Sequence, residues 1–305
     1  MKQAQRLWLG TSNPYIRLRK IESLDLETEY RQITQLFYGD FQSAMFMKFV
    51  HGFLFTYSAP RVATILSNTG ELLDKRITKR IVDTTLLASA TMLHGFKEPE
   101  GRDAARRVNA MHSRYDIHPD DFVAVGAEEA IGSLDLAHRF GWRKVTDKEE
   151  EAVRMYYSHQ ARAFGSPLPL PPSVPEMRAF FSHFLDTELL YQPENERLAN
   201  ALLDWFAARV PSPLRSVFRT LLIADLDPRV ARACGLRQPP KLAKRAMEIL
   251  LRRMARKDPV PDGTASNLDE MVRSVYPNGW KYDDLGTHGA PKQGQTPGGD
   301  LAANI

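Results

Sequence analysis

Apolar residues in this sequence recur at three- and four-residue spacing over most of its length, and this period limits the fold to packed helices. The pattern first appears from Leu26 to Phe37 and stops at Gly39, a typical helix end. Thr146 is followed three residues later by Glu149, the spacing of a capping box at a helix start. No segment shows the two-residue alternation of a strand. Similar helical segments follow at about residues 41–57, 72–93, 101–115, 119–140, 147–164, 174–190, 194–208, 214–223 and 240–256. The sequence therefore predicts an all-α protein.

The composition divides the chain into one helical domain and a tail. The Pro-rich break at 166–173 is short enough to separate helices without separating domains. We expect a single multi-helix domain over residues 20–257, followed by a largely irregular, Pro/Gly-rich tail over 258–305. Trp280 and Tyr282 are the tail residues able to dock on the domain. Because the rest of the tail can bury little, we expect it to be dispensable for ligand binding.

The composition and net charge of the chain exclude several classes of protein. The hydrophobic fraction of 43% suffices for a sizeable core, and the net charge is only +4. The basic stretch at 241–257 lacks the interleaved aromatic residues of single-strand nucleic-acid binders, so we expect no nucleic-acid partner. The lone Cys234 excludes an intramolecular disulfide and a cysteine-based zinc site. The most apolar segment, 44–57, is too short to span a bilayer. We therefore expect a cytoplasmic location.

Several familiar catalytic motifs are missing from the sequence. It contains no glycine-rich phosphate loop, no GxSxG nucleophile turn and no HExxH zinc motif. It also lacks the Glu-x-x-His pairs of di-iron helical bundles. In an all-helical chain, the remaining kind of site is a cofactor pocket built from residues on facing helices.

One helical stripe carries a histidine among small and apolar residues. Ala104, Ala105, Val108, Met111 and His112 lie at offsets of 0, 1, 4, 7 and 8, which places them on one side of a helix. Such a face can lie against a flat macrocycle, with the imidazole as an axial iron ligand. The period alone favours a plainer interpretation, a core histidine hydrogen-bonded to a backbone carbonyl.

A second stripe lies on the preceding helical segment. Arg80, Thr84 and Ala88 are four residues apart, and this combination is awkward for plain packing because a buried guanidinium needs a partner. One interpretation is that Arg80 pairs with Asp83 at a spacing of three residues. The other places Arg80 and Thr84 in a polar pocket, where Arg80 could bind a propionate and Thr84 could hydrogen-bond dioxygen.

These two stripes carry a resemblance to a known family. The order is RxxDT (residues 80–84), then a glycine-bearing turn, then the arginine-rich helix that ends at His112. Together with other segments, this order resembles the domain shared by bacterial rubber oxygenases and MpaB-type oxygenases, over most of residues 25–240. The supporting segments are RRVNAMHSRY, HRFGWRKVTDKEEEA, QARAFGSPLPLPPSVPEM and PSPLRSVFRTLLIADLDPRVARACGL.

The resemblance implies a globin-like helical core that holds haem b. His112 matches the proximal iron ligand of the family, and Arg80 and Thr84 match polar residues on the facing helix. Val108 and Met111, on the ligand helix, are further candidates for cofactor contact. Rubber oxygenases have a lysine before the threonine that can cap the distal iron position, and this chain has Asp83 there. Asp83 cannot play that part, so the chain resembles the broader MpaB-like branch more closely.

We therefore expect a haem b-dependent oxygenase that acts on a small apolar organic substrate with dioxygen or a peroxide. Arg80, Asp83 and Thr84 are the candidate catalytic residues, and His112 is the candidate metal ligand. Two alternatives stay open: a non-catalytic haem or gas-binding protein, and a helical interaction scaffold without a cofactor. Seven other histidines compete for the ligand role: His51, His94, His118, His138, His159, His183 and His288.

The basic helix near the domain end also permits two interpretations. Its apolar residues are Leu242, Ala246, Ile249, Leu250 and Met254, opposite a set of lysines and arginines. It is most simply the last core helix with a solvated basic face. The charge pattern also allows peripheral contact of residues 240–257 with an anionic membrane surface.

Overall fold

The computed structural model describes residues 13–69, 76–258 and 267–287. These residues form fourteen α-helices and contain no strand, which confirms the all-α prediction. The helices are α1 (Ile16–Ser23), α2 (Leu26–Asp40), α3 (Gln42–Ser58), α4 (Pro60–Thr69), α5 (Arg76–His94), α6 (Pro99–His112), α7 (Pro119–Phe140), α8 (Asp147–Ala163), α9 (Val174–Thr187), α10 (Pro193–Ala207), α11 (Arg215–Leu222), α12 (Pro228–Ala233), α13 (Lys241–Ala255) and α14 (Asn267–Val275). A globin-like arrangement of these helices stays a prediction.

The helix starts follow from local capping chemistry. The predicted capping box is present at α8, where the Thr146 side chain accepts from the backbone of Glu149 and the Glu149 carboxylate accepts from Thr146 N. At α9, the Ser173 hydroxyl accepts from the Glu176 N–H, and proline follows at the first turn. These bonds satisfy backbone donors that have no partner within the helix.

Helices α3 and α7 lie side by side at the centre and contribute to both large apolar clusters. One cluster joins α3 to α4, α9, α10 and α12, and the other joins α3 and α7 to α2 and α8. Helices α5 and α6 pack against each other and share a smaller cluster of their own. Within the described ranges, no helix is long and apolar enough to cross a membrane.

The smaller cluster is completed by the C-terminal segment, residues 267–287. Helix α14 contacts α5, and a 3-10 turn at Tyr282–Asp284 contacts α6. Trp280 and Tyr282 pack against this cluster, and Leu285 is fully buried in it. Trp280 and Tyr282 thus contact the domain, as the sequence allowed, and Leu285 and α14 add contacts that the sequence did not indicate. Composition did not reveal this because a few apolar residues suffice once a complementary helix pair is present.

Candidate functional site

His112 is the last residue of α6, and the stripe that leads to it is buried as the period predicted. Its Nδ1 lies 2.9 Å from the carbonyl oxygen of Phe164. A carbonyl can only accept a hydrogen bond, so Nδ1 carries the proton and Nε2 keeps its lone pair. The ring is thus held in the tautomer that metal-ligating histidines use when a carbonyl orients them. The two sequence interpretations, a carbonyl-bonded core histidine and a ligand, are compatible.

The pKa of His112 is lowered, mainly because burial disfavours the charged imidazolium. The hydrogen bond to Phe164 opposes this shift, and the positive charge of Arg80 adds to it. The imidazole is therefore neutral at physiological pH. Only the neutral form can coordinate a metal ion.

The carbonyl that orients His112 is set by the end of α8. Gly165 follows Phe164 with a φ of +98°, a conformation that side-chain-bearing residues rarely adopt. A Cβ atom at Gly165 would lie 2.9 Å from Oδ1 of Asn109, one turn before His112 on α6. The glycine thus allows both the chain reversal and the close approach of α8 to α6. Sequence reasoning missed Gly165, although the AFGSP segment after a helical stretch is a recognisable stop signal.

Arg80 on α5 lies close enough to His112 to add to the lowering of its pKa, and to Tyr57 to oppose the burial that raises the pKa of that hydroxyl. The Arg80–Asp83 ion pair that the sequence allowed does not form. Asp83 is instead paired with Lys79, whose Nζ lies 2.5 Å from Oδ2. Among the described residues, no carboxylate forms an ion pair with Arg80. A half-buried guanidinium without a counter-ion is costly, and it is a good anion-binding group.

Three buried hydroxyl groups near these residues have no hydrogen-bond partner in the described part of the chain. They are Thr84 Oγ1 on α5, Tyr57 OH on α3 and Tyr115 OH, three residues beyond His112. Buried polar atoms normally have partners, so Thr84 Oγ1, one turn from Arg80, and Tyr57 OH, near Arg80, are available to bond a polar ligand. Arg80 and Thr84, which the sequence placed together, are on one face of α5, and Arg80 is near the imidazole.

Asp83 lies apart from this group. It is fully buried and accepts hydrogen bonds from Tyr276 OH at 2.5 Å and from Gly286 N at 2.7 Å, besides its contact with Lys79. Its carboxylate therefore holds the C-terminal segment on α5. The structure does not bring Asp83 together with His112.

Val108 and Met111 lie on the side of α6 that the sequence indicated. Both side chains, however, pack against other protein residues instead of lining an open space. Val108 packs in the cluster with Leu87 and Leu285. Met111 lies so close to Gly286 that a Cβ atom there would be 2.1 Å from its sulfur. The C-terminal segment thus covers these two candidates.

The other described histidines have structural explanations, and His288 lies outside the described residues. The His51 ring is buried, and its Nε2 donates to the Leu222 carbonyl at 3.1 Å. Only Nδ1, the ring nitrogen nearer its own helix backbone, is then left as a possible metal ligand. His118 caps the start of α7, His138 pairs with Glu150 and His159 stacks on Tyr30. His94 and His183 are exposed. Among the described histidines, His112 is the one that combines a buried apolar stripe, a carbonyl partner for Nδ1 and an Nε2 without a hydrogen bond.

The donor set fits a haem iron better than a protein-only metal site. In the described ranges, no three His, Cys, Asp or Glu side chains converge on one point. Haem supplies four ligands from its own ring and needs one axial side chain from the protein. A neutral histidine whose Nε2 keeps its lone pair can serve as that axial side chain, and Arg80 can pair with a carboxylate of the group. Two surface clefts, between α9 and α12 and beside α10 and α11, contain none of these residues.

Comparison with known proteins supports the resemblance seen in the sequence. The family model described as ER-bound oxygenase mpaB/B'/rubber oxygenase, catalytic domain, matches residues 37–257, which is more than half of the chain. No curated protein matches the chain at a significant level. The match spans α3 to α13 and includes the helices that carry Arg80, Thr84 and His112. The chain therefore belongs to the family of mpaB-type oxygenases and rubber oxygenases.

Proposed function

We propose that this protein is a haem b-dependent oxygenase that acts on a small apolar organic substrate. The observation that carries the proposal is His112. Its Nδ1 donates to the Phe164 carbonyl, its pKa is lowered by burial, and its unprotonated Nε2 keeps a lone pair with no hydrogen bond in the described part of the chain. Membership of an oxygenase family gives the reaction class.

Each residue has a role that follows from its chemistry. His112 would hold the iron through Nε2, and the Phe164 carbonyl would fix the ring orientation and raise its basicity. Arg80 would bind a haem propionate, because a guanidinium pairs well with a carboxylate. The Thr84 hydroxyl, which has no protein partner, would donate a hydrogen bond to a polar ligand in the pocket. Val108 and Met111, which the C-terminal segment covers, would support the His112 helix by packing, and Asp83 would act indirectly by anchoring that segment.

Haem, when bound, supplies the redox chemistry that activates dioxygen or a peroxide. The chain contributes orientation, an apolar environment and the exclusion of water. We expect the reacting part of the substrate to bind on the Thr84 side.

The test is the haem content of purified full-length protein. We expect an intense absorption band typical of haem, and His112→Gly should lose most of the haem while keeping the helical circular dichroism spectrum. Added imidazole should restore the band by filling the vacated ligand position. His51→Gln is the matched control, a second buried histidine bonded to a carbonyl, and it should retain haem.

Three outcomes would contradict the proposal in different ways. A colourless protein that takes up no added haem would favour the scaffold interpretation. Unchanged haem in His112→Gly would show that another residue is the ligand. Haem binding without oxygen uptake in the presence of any apolar substrate would favour a non-catalytic haem or gas-binding protein.

A further inference from the structure

Helix α13 packs on the domain with a different face from the one its sequence pattern indicated. Met247, Leu251 and Ala255 are buried against α3, α7 and α11. The apolar residues that the pattern assigned to the core point outward instead. Their exposed fractions are 78% for Leu242, 53% for Ile249, 42% for Leu250 and 39% for Met254. Exposure of a row of large aliphatic side chains to water costs free energy. Such a row therefore indicates a surface that binds a partner.

The basic side chains of α13 lie along the edge of this apolar row. Arg245, Arg252 and Arg256 share one side of the helix and are exposed. Leu242 and Ile249, two turns apart, lie next to that side. From 241 to 257 the sequence has seven basic residues and one acidic residue, Glu248, which is half-buried. The exposed face of α13 therefore has an aliphatic part and a cationic part, and the exposed Arg253 lies between Leu242 and Leu250 on the helix surface.

The surface continues on a neighbouring helix. Helix α11 contacts α13, and its beginning exposes Leu214 and Val217 together with Arg215. Asp258, directly after α13, accepts hydrogen bonds from Ser43 N and Ser43 Oγ, which ties the end of α13 to α3. The exposed face is thus presented by a helix anchored at its end and along its length.

The charge pattern selects among the partners that such a face can take. A second copy of the chain bound through α13 would bring like charges together, because a two-fold interface pairs a surface with itself. Nucleic acid would leave the aliphatic row uncovered, and α13 has no aromatic residue on which bases could stack. An anionic bilayer satisfies both parts, because its acyl region accepts the aliphatic side chains and its headgroups pair with the arginines.

We propose that the outward face of α13 docks this protein on an anionic lipid bilayer. The helix lies parallel to the membrane plane, with Leu242, Ile249 and Leu250 inserted and Arg245, Arg252 and Arg256 at the headgroups. This attachment does not depend on the proposed cofactor. It would bring the domain to the phase in which apolar organic molecules collect.

The experiment is sedimentation of the full-length protein with vesicles of phosphatidylcholine containing 30% phosphatidylglycerol, compared with pure phosphatidylcholine. We expect binding to the anionic vesicles, weaker binding to the neutral ones, and at least a tenfold loss as salt rises from about 50 to 500 mM, because screening weakens the headgroup contacts. The double variant Leu242→Ser, Ile249→Ser should bind at least tenfold more weakly. The matched control Leu168→Ser, Leu190→Ser removes two exposed leucines elsewhere and should bind as the parent does.

Further variants separate the two parts of the face. The triple variant Arg245→Gln, Arg252→Gln, Arg256→Gln should lose the preference for anionic vesicles, and it serves alone if the serine variant misfolds. Equal binding by parent and variants would overturn the proposal, as would no binding to anionic vesicles. A dimer in sedimentation velocity that the serine variant abolishes would assign the face to a second copy instead, and RNA binding abolished by the glutamine variant would assign it to nucleic acid.

Discussion

At the scale of single residues, the orientation of His112 depends on a carbonyl 52 positions later in the chain. The Phe164 carbonyl points at Nδ1 because the backbone turns at Gly165, whose φ is +98°. The same glycine lets Asn109 approach without a clash. The chemistry of one side chain on α6 is therefore set by a turn after α8.

Gly165→Ala should destabilise the protein and weaken haem retention. The positive φ alone costs about 1 kcal/mol for alanine, and displacement of Asn109 should add about 1–2 kcal/mol. Gly279→Ala is the matched control, because Gly279 also has a positive φ but an added Cβ would meet nothing within 4 Å. Urea unfolding and haem titration would measure both effects. Equal costs at the two glycines, with haem affinity unchanged, would show that the Asn109 contact is irrelevant to His112.

Thr84→Val should leave the haem-free protein at least as stable as the parent. The hydroxyl is buried without a partner in the described chain, so replacing it with a methyl group removes an unsatisfied polar atom at nearly constant volume. The gain should be up to about 1 kcal/mol in urea unfolding. In the haem-loaded protein, the same variant should show slower turnover or weaker binding of a polar haem ligand such as azide. A loss of stability without haem would mean that Thr84 has a structural partner.

At the scale of elements, helix α5 contacts both α6 and the C-terminal segment, with different residues for each. Arg80 and Thr84 face the region of His112, whereas Asp83 holds the C-terminal segment through Tyr276 and Gly286. Arg107 on α6 adds hydrogen bonds to the carbonyls of Leu285 and Thr287. The segment is thus fastened to both helices that carry the candidate site.

Tyr276→Phe should loosen the C-terminal segment while leaving the main domain folded. It removes one of the donors to the buried Asp83 carboxylate, and a hydrogen bond to a charged group contributes about 1.5–3 kcal/mol. We expect faster amide hydrogen exchange over 267–287 and unchanged exchange in α3 and α7. Tyr282→Phe is the control, because the Tyr282 hydroxyl has no hydrogen bond to any residue that the structure describes. Uniform acceleration across the whole chain would show instead that the segment and domain unfold together.

At the scale of the whole molecule, buried charges join distant parts of the chain. Lys48 on α3 forms ion pairs with Glu128 and Glu129 on α7, and Arg143 bridges Asp40 and Glu149 between α2 and α8. Lys48, Glu128, Asp40 and Glu149 are all buried. Such pairs add little net stability, but removal of one partner leaves an uncompensated charge. They favour one register of the packed helices over others.

Asp258 should give the stability of the molecule a measurable pH dependence. Burial raises the pKa of its carboxyl from 3.8 to about 6, against the opposing effect of the Ser43 hydrogen bonds. The folded state therefore binds a proton that the unfolded state has lost between about pH 4 and pH 6, so stability from this group falls as pH rises through that window.

Asp258→Asn removes the titration, so its stability relative to the parent should rise by about 1–2 kcal/mol from pH 4 to pH 7. A hydrogen bond lost with the substitution lowers the free energy of unfolding by the same amount at both pH values. Only the change of the stability difference with pH reports the titration of Asp258. Urea unfolding at several pH values would measure it. Parallel pH profiles would show that Asp258 titrates normally.

Sequence reasoning identified the buried helix stripe of the candidate site. It could not identify contacts between residues that are distant in the chain. The buried stripe that ends at His112 followed from the helical period, because residues seven and eight apart share a face whatever the neighbours are. The Arg80–Asp83 pair, one of the two interpretations that the sequence allowed, does not form, because Lys79, one turn before Asp83, pairs with that carboxylate. Gly165 was missed because its role appears only when α8 approaches α6.

The sequence by itself determined ten of the fourteen described helices, all but α1, α4, α12 and α14, together with the capping box at α8, the apolar side of α6 and the family. These depend on local chemistry and on residues within two turns of each other. Tertiary structure alone decided which carbonyl orients His112, what pairs with Asp83 about 200 positions away, and which side of α13 faces outward. A periodic pattern shows which residues share a helix face. Which face meets a neighbour depends on the competing free energies of all the surfaces packed together, and those exist only in the folded chain.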